Sequence, residues 1–167
     1  MSIIERSNPL NLQYRVCIVT SASSPLGVVI CKTLLKANAF VLGIDTLNKD
    51  ASLNAGRGTH FQFLQCGVHE AGAAERIIDA ARVKFDGIER IDVLVNLPGS
   101  KDENLVGLSQ AVKRVMGREG RGSIVSLLGD DDQADAAAVH VRGQDGIQCN
   151  VIRIEGKAVS TTARVKP

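Results

Sequence analysis

The chain has 167 residues, 44% of them hydrophobic and 23% charged, and carries a formal net charge of +2. That length accommodates one domain with a real core, and the composition is that of an ordinary soluble protein. Lysines and arginines are scattered, and four Phe, one Tyr and no Trp supply no base-stacking platform, which argues against nucleic-acid binding; no apolar run approaches a membrane span.

Met1 to Gln13 is polar and lacks the apolar stretch of a secretory leader, so residues 1–14 are expected to form an N-terminal arm of a cytoplasmic protein. Residues 15–167 are expected to form one domain. Within it, Arg15–Thr20, Phe40–Asp45, His60–Cys66, Val93–Asn96, Ser123–Leu128 and Gln148–Ile154 read as strands. Apolar spacings of three and four predict helices following Gly27, through Ala74, Ile77, Ile78, Ala81 and Phe85, and through Leu105, Leu108, Val112 and Val115. Residues 54–58, Asp86-Gly87 and residues 117–122 read as loops. Strands that alternate with helices predict a doubly wound parallel sheet of six strands with helices on both faces. Cys17, Cys31, Cys66 and Cys149 fall within these elements, with no CxxC and no His at ligand spacing. They are expected to be buried free thiols, with no metal.

Between the first strand and the first helix lies Thr-Ser-Ala-Ser-Ser-Pro-Leu-Gly, residues 20–27. A nucleotide-binding α/β domain places its glycine-rich phosphate loop there. This octapeptide resembles the Thr-Gly-x-x-x-Gly-Ile/Leu-Gly loop of the short-chain dehydrogenase/reductase family. Four further segments are similar to that family's landmarks, in order. Phe40–Asp45 resembles the second strand with its ribose-holding acid, and Ile91–Gly99 the strand ending Asn-Asn-Ala-Gly. Gly122–Gly129 resembles the strand that ends in the catalytic serine, and Gly146–Ile152 with Glu155-Gly156 the last core strand and its Pro-Gly turn. The resemblance implies a Rossmann-like fold, with Thr20, Ser21, Ser23, Gly27, Asp45 and Asn96 as residual cofactor-binding positions.

The departures from that pattern are chemical. Ser21 and Pro25 stand where the family has glycine. A Cβ at a positive φ and a lost N–H together predict dinucleotide binding weakened by about two to three orders of magnitude. Gly67 stands where the family has an aspartate that contacts adenine. The family's catalysis uses Asn, Ser, Tyr and Lys. Asn104 in Asn-Leu-Val-Gly matches the local motif of the first, but Gly129, Arg142 and Gly146 fall at the other three positions, and the only tyrosine is Tyr14. Segments before Asn104 and after Gly129 are shorter than in the family, so the usual catalytic helix is lacking and its dimer seam is altered.

Without a positioned proton donor, hydride transfer loses a factor of roughly 10²–10⁴. No cofactor is therefore expected, with NAD the dinucleotide if one binds. The expected function is cofactor-independent cyclisation, isomerisation, epimerisation or dehydration of a small, largely apolar molecule in the crevice at the C-terminal edge of the sheet. His140 and Asp131 are the candidate acid/base groups there, with Arg142 as oxyanion partner. The alternatives are a divergent NAD(H)-dependent oxidoreductase and a non-catalytic binding or scaffold subunit. Missing helices should leave apolar area exposed, which predicts a homodimer.

Overall fold

Val16–Thr20 (β1) is buried at every residue, as a strand covered on both faces must be. The computed structural model describes residues 11–54, 58–97, 105–128, 146–155 and 158–164. Pro25–Lys36 (α1) starts where its sequence provides a cap: the Ser24 hydroxyl accepts the Gly27 N–H at 3.0 Å, and Pro25 occupies the first turn, where no N–H is missed. Asn38, at φ 66°, ends that helix in the left-handed conformation that asparagine tolerates. Phe40–Asp45 (β2) follows. Two 3-10 turns at Ala51–Asn54 and Gly58–His60 lead to Phe61–Gln65 (β3).

The second half contains Ala73–Lys84 (α2), Val93–Asn96 (β4), Leu105–Glu119 (α3), Gly122–Leu128 (β5), Ile147–Glu155 (β6) and Ala158–Arg164 (β7). The expected helices start at Pro25 rather than after Gly27, at Ala73 and at Leu105. Arg15 and Cys66 lie just outside their strands. His60 closes a 3-10 turn and packs its ring 4.6 Å from that of Phe40.

The strand order is β3-β2-β1-β4-β5-β6-β7. Pairing is parallel from β3 through to β6, so the predicted doubly wound sheet of six parallel strands is present. It carries one strand more: β7 runs antiparallel to β6. The chain winds outward from β1 to β3, then restarts on the other side of β1 with β4, which makes the β1–β4 boundary the topological switch point.

The two sheet faces have separate cores. α1 covers one, with Leu34, Leu35 and Cys31 against Cys17, Val19, Val41 and Phe61. α2 and α3 cover the other, with Ile77, Val112 and Met116 against Ile18, Leu42, Leu94 and Ile124. On the α1 face no described helix lies over β5 and β6, and Val125, Leu127 and Ile152 are only half-buried there.

At the N-terminal edge of the sheet a buried carboxylate joins three segments. Asp92 Oδ1 lies 3.1 Å from Arg15 Nη1, and Oδ2 accepts the Val16 N–H at 2.9 Å and Arg90 Nε at 3.0 Å. Arg90 also donates to the Tyr14 carbonyl at 2.8 Å. No described helix is long and apolar enough to cross a membrane.

The four thiols are free. Burial, the largest cause for each, pushes Cys17 and Cys31 up to about 12 and raises Cys66 and Cys149. Only Cys149 is partly accessible. Since the thiolate is the reactive form, a thiol-reactive dye at pH 8 is expected to label Cys149 alone in the native protein and all four cysteines after denaturation. Fast native labelling of Cys17 or Cys31 would show that β1 and α1 separate readily.

Candidate functional site

The C-terminal ends of the strands gather the Thr20–Gly27 loop, Asp45, the turn after β3 and Asn96. Ser21 sits at φ 48°, the left-handed conformation for which glycine is the usual choice, at a cost of about 1 kcal/mol. The turn holds because its polar groups are engaged. Ser24 N–H and Oγ–H both donate to the Ser21 carbonyl, at 3.1 and 2.7 Å. Ala22 N–H donates to the Ile44 carbonyl at 3.1 Å. Thr20 Oγ1 is buried and accepts the Leu97 N–H at 2.9 Å, tying the loop across the switch point to β4. Gly27 lies against this turn so closely that a Cβ would stand 2.2 Å from the Ser21 carbonyl oxygen.

Asp45 clasps the loop from β2. Its Oδ2 accepts the Ser23 N–H at 2.9 Å and its Oδ1 the Leu47 N–H at 3.1 Å. Ser23 Oγ–H donates to the Asn48 carbonyl at 2.9 Å, joining the two loops. Each Asp45 oxygen keeps a lone pair, and the side chain is partly exposed. Pro25 brings no N–H to the N-terminus of α1, whereas the Leu26 N–H finds no acceptor among the described residues. The N-terminus of α1 is the positive end of its helix dipole.

Asn96 is turned inward. Its Nδ2 donates to Ser109 Oγ on α3 at 2.9 Å and to Ser126 Oγ on β5 at 3.2 Å. Its Oδ1 is buried without a hydrogen-bond partner among the described residues. Asn96 therefore fastens β4 to its neighbours. At the end of β3, Gly67 N–H donates to Glu70 Oε1 at 2.8 Å, and Arg76 donates to Glu70 Oε2 and, at 3.4 Å, to Cys66 Sγ. The Arg76 hydrogen bond, with that from Gly67, holds the exposed Glu70 carboxyl below the usual range.

Of the positions expected to touch a cofactor, Thr20, Ser21, Ser23, Gly27 and Asp45 form one continuous loop-and-strand-end unit. Asn96 lies on the same edge but faces the interior. Asn104, Asp131, His140 and Arg142, like Gly129, lie outside the described residues. No described cluster of three His, Cys, Asp or Glu residues could hold a metal ion. Sequence reasoning missed Ser109, although a lone hydroxyl inside the apolar stripe of Leu108 and Val112 was a visible signal. It also missed the Glu70–Arg76 pair.

The model of the short chain dehydrogenase family matches residues 15–116. The chain belongs to this short-chain dehydrogenase family. It is 28% identical over 156 residues to the 3-oxoacyl-[acyl-carrier-protein] reductase FabG of Escherichia coli, an alignment covering 77% of this chain and 63% of that reductase. It is 30% identical over 138 residues to the short chain dehydrogenase ausX of Penicillium brasilianum, covering 70% of this chain and 52% of that protein. The chain thus spans less than two thirds of the length of these relatives. Among solved structures, a short chain dehydrogenase from Leptospira borgpetersenii with bound NAD+ superposes with a TM-score of 0.68 at 16% identity, over 97% of this chain and 78% of that one. The Cj0485 dehydrogenase superposes with a TM-score of 0.72 at 14% identity, over 90% of this chain and 72% of that one. At these identities the structures attest the shared fold. The relatives are reductases and dehydrogenases by name, so the expectation of a cofactor-free cyclase or isomerase draws no support from them.

Proposed function

We propose that the short-chain dehydrogenase chain binds NAD(H) and acts as a divergent oxidoreductase. The observation that carries this reading is the Asp45 clasp: a partly exposed carboxylate at the end of β2, braced by the loop it holds, with lone pairs left for two ribose hydroxyls. The neighbouring loop fits a pyrophosphate in shape, since Ser21 adopts the left-handed turn and Gly27 allows close packing of α1. It fits less well in donors, because Pro25 removes one N–H and leaves that of Leu26. A bound nicotinamide would supply hydride transfer. Asp45 would hold the ribose, and the turn before α1 would face the pyrophosphate.

With one donor missing, NADH is expected to bind with a dissociation constant on the order of 100 μM. NADPH should bind at least roughly tenfold more weakly, because Asp45 repels a 2′-phosphate. Asp45→Asn should narrow that gap. Fluorescence titration with both nucleotides checks this, and the absence of NADH binding at millimolar concentration would remove the reading.

One observation favours a second reading, cofactor-independent turnover of a small apolar molecule. The chain's only tyrosine, Tyr14, sits at the opposite edge of the sheet, 6.0 Å from Phe40 and 6.4 Å from His60 between ring centroids, and cannot serve as acid/base at the C-terminal edge. Turnover that proceeds at full rate without any nicotinamide nucleotide would select this reading.

A further inference from the structure

We propose that residues 1–10 lie across the α1 side of β5 and β6 and cover it, anchored by the pair Ile3 and Ile4. The surface to be covered is apolar and continuous. Leu127 packs partly buried against the α1-face core, and half-buried Val125 stands two residues before it on the same face. Ile152, also half-buried, pairs with Leu127 across the β5–β6 ladder. A flank of α1 forms one wall. Lys32 acts on the charge of Asp50, so its flank faces the β2–β3 connection. Leu26, 36% exposed, and half-buried Ile30 lie on the opposite flank, toward β4 and β5.

The chain ahead of β1 is aimed at that side. Arg15 N–H donates to the Leu12 carbonyl at 2.9 Å, and Tyr14, third in this turn, takes φ 59°, the positive φ that a type II turn requires there. The turn reverses the chain, so what precedes Leu12 is directed back along the sheet. Leu12, on the arriving limb, packs against the α1-face core. A tyrosine keeps a left-handed conformation only where its surroundings impose it. Here its N–H donates to the Asn38 carbonyl at 3.0 Å, and its carbonyl accepts Arg90 Nη2 at 2.8 Å. The direction of the arm is thus built into the edge of the sheet. Its reach suffices. Ile4 stands eight residues before Leu12, roughly 26 Å of extended chain, whereas β6 lies three strand spacings from β1, about 14 Å. A tethered segment also meets the face at an effective concentration in the millimolar range, which a second copy at micromolar concentration cannot match.

Thiol labelling of the full chain tests the placement. Cys149→Ser removes the partly accessible native thiol, and Val125→Cys, a small apolar replacement, then reports on the face. With Ile3 and Ile4 in place the new thiol should react slowly, at a rate independent of protein concentration between about 1 and 100 μM. Adding Ile3→Asp and Ile4→Asp should speed the reaction at least tenfold, a roughly 1.4 kcal/mol loss of protection. Circular dichroism, with Cys17 and Cys31 still unlabelled, shows that each variant is folded, and Leu127→Cys repeats the measurement should Val125→Cys misfold. If Ile3→Asp with Ile4→Asp leaves the rate unchanged, whether fast or slow, residues 1–10 do not cover the face and the proposal falls. Protection that grows with protein concentration, alongside a dimer in sedimentation, would overturn it in favour of a second copy.

Discussion

Asp92→Ala is expected to lower the unfolding free energy by about 3 kcal/mol, because it empties the centre of a buried ion-pair network. Asp92 is 8% exposed and meets Arg15 and Arg90, whose side chains are 28% and 33% exposed. Truncation leaves two guanidinium groups facing each other and strips the acceptor from Val16 N–H, a fully buried group. The arginines can turn toward water, which keeps the cost at the lower end of the range for breaking a buried pair. Arg15→Ala should cost about 1 kcal/mol or less, because Asp92 keeps Val16 and Arg90. Urea denaturation of the two variants decides the point: a difference below about 1 kcal/mol between them would mean that the carboxylate is not the centre of the network.

Gly27→Ala is expected to destabilise by roughly 3 kcal/mol, although alanine is the better helix former by about 1 kcal/mol. The added methyl would meet the Ser21 carbonyl oxygen at 2.2 Å and Ala22 Cα at 2.8 Å. Both are backbone atoms, so relief requires α1 to lift from the loop or the loop to leave its left-handed turn. Either movement breaks the Ser24 cap and shifts Ser23 away from Asp45, so NADH binding should fall by at least tenfold. Gly107 and Gly117, on α3, have nothing within 4 Å of a Cβ; alanine at those positions is a control that should leave stability unchanged or raise it by about 0.5–1 kcal/mol. Thermal melting and nucleotide titration of the three variants, side by side, make the comparison. An unaltered melting temperature for Gly27→Ala would mean that the loop yields freely.

The parallel sheet was legible because its signals are local. The continuous apolar run at Val16–Val19 and the three-and-four spacing of Ile77, Ile78 and Ala81 mark elements without any knowledge of neighbours. The turn at residues 20–27 and the place of Asp45 at the end of β2 were legible because an apolar strand, a polar turn and an amphipathic helix follow one another directly in the sequence. What escaped depends on distance along the chain. Asn96 reaches Ser109 and Ser126, 13 and 30 residues away, and no pattern within the strand announces those partners. The β7 strand was hidden for another reason: Val159, Thr161 and Thr162 have strand propensity, but a short polar run carries no apolar alternation to mark it, and its partner β6 is known only from the pairing. His69 and Glu70 were visible as polar residues in a loop. Only the direction of the Gly67 Cβ, which would stand 2.6 Å from the His69 ring and 3.1 Å from Glu70 Oε1, shows that they fill a side chain's place.

The strand order also dictates when the sheet can close. β1 is synthesised before every other described strand of the sheet and is fully buried at Val16–Val19, yet one of its flanks belongs to β4, and Val16 meets Asp92 across a separation of 76 residues. A chain emerging from the ribosome can pair β1 with β2, and β2 with β3, while the other edge of β1 stays open as an unpaired apolar ladder. Non-local parallel pairing of this kind is slow, and such an open edge recruits other chains as readily as its own. The yield of folded protein is thus a race between the arrival of β4 and encounters with neighbouring chains. Dilution and low temperature, which slow the second without lengthening the first to the same degree, favour the native sheet.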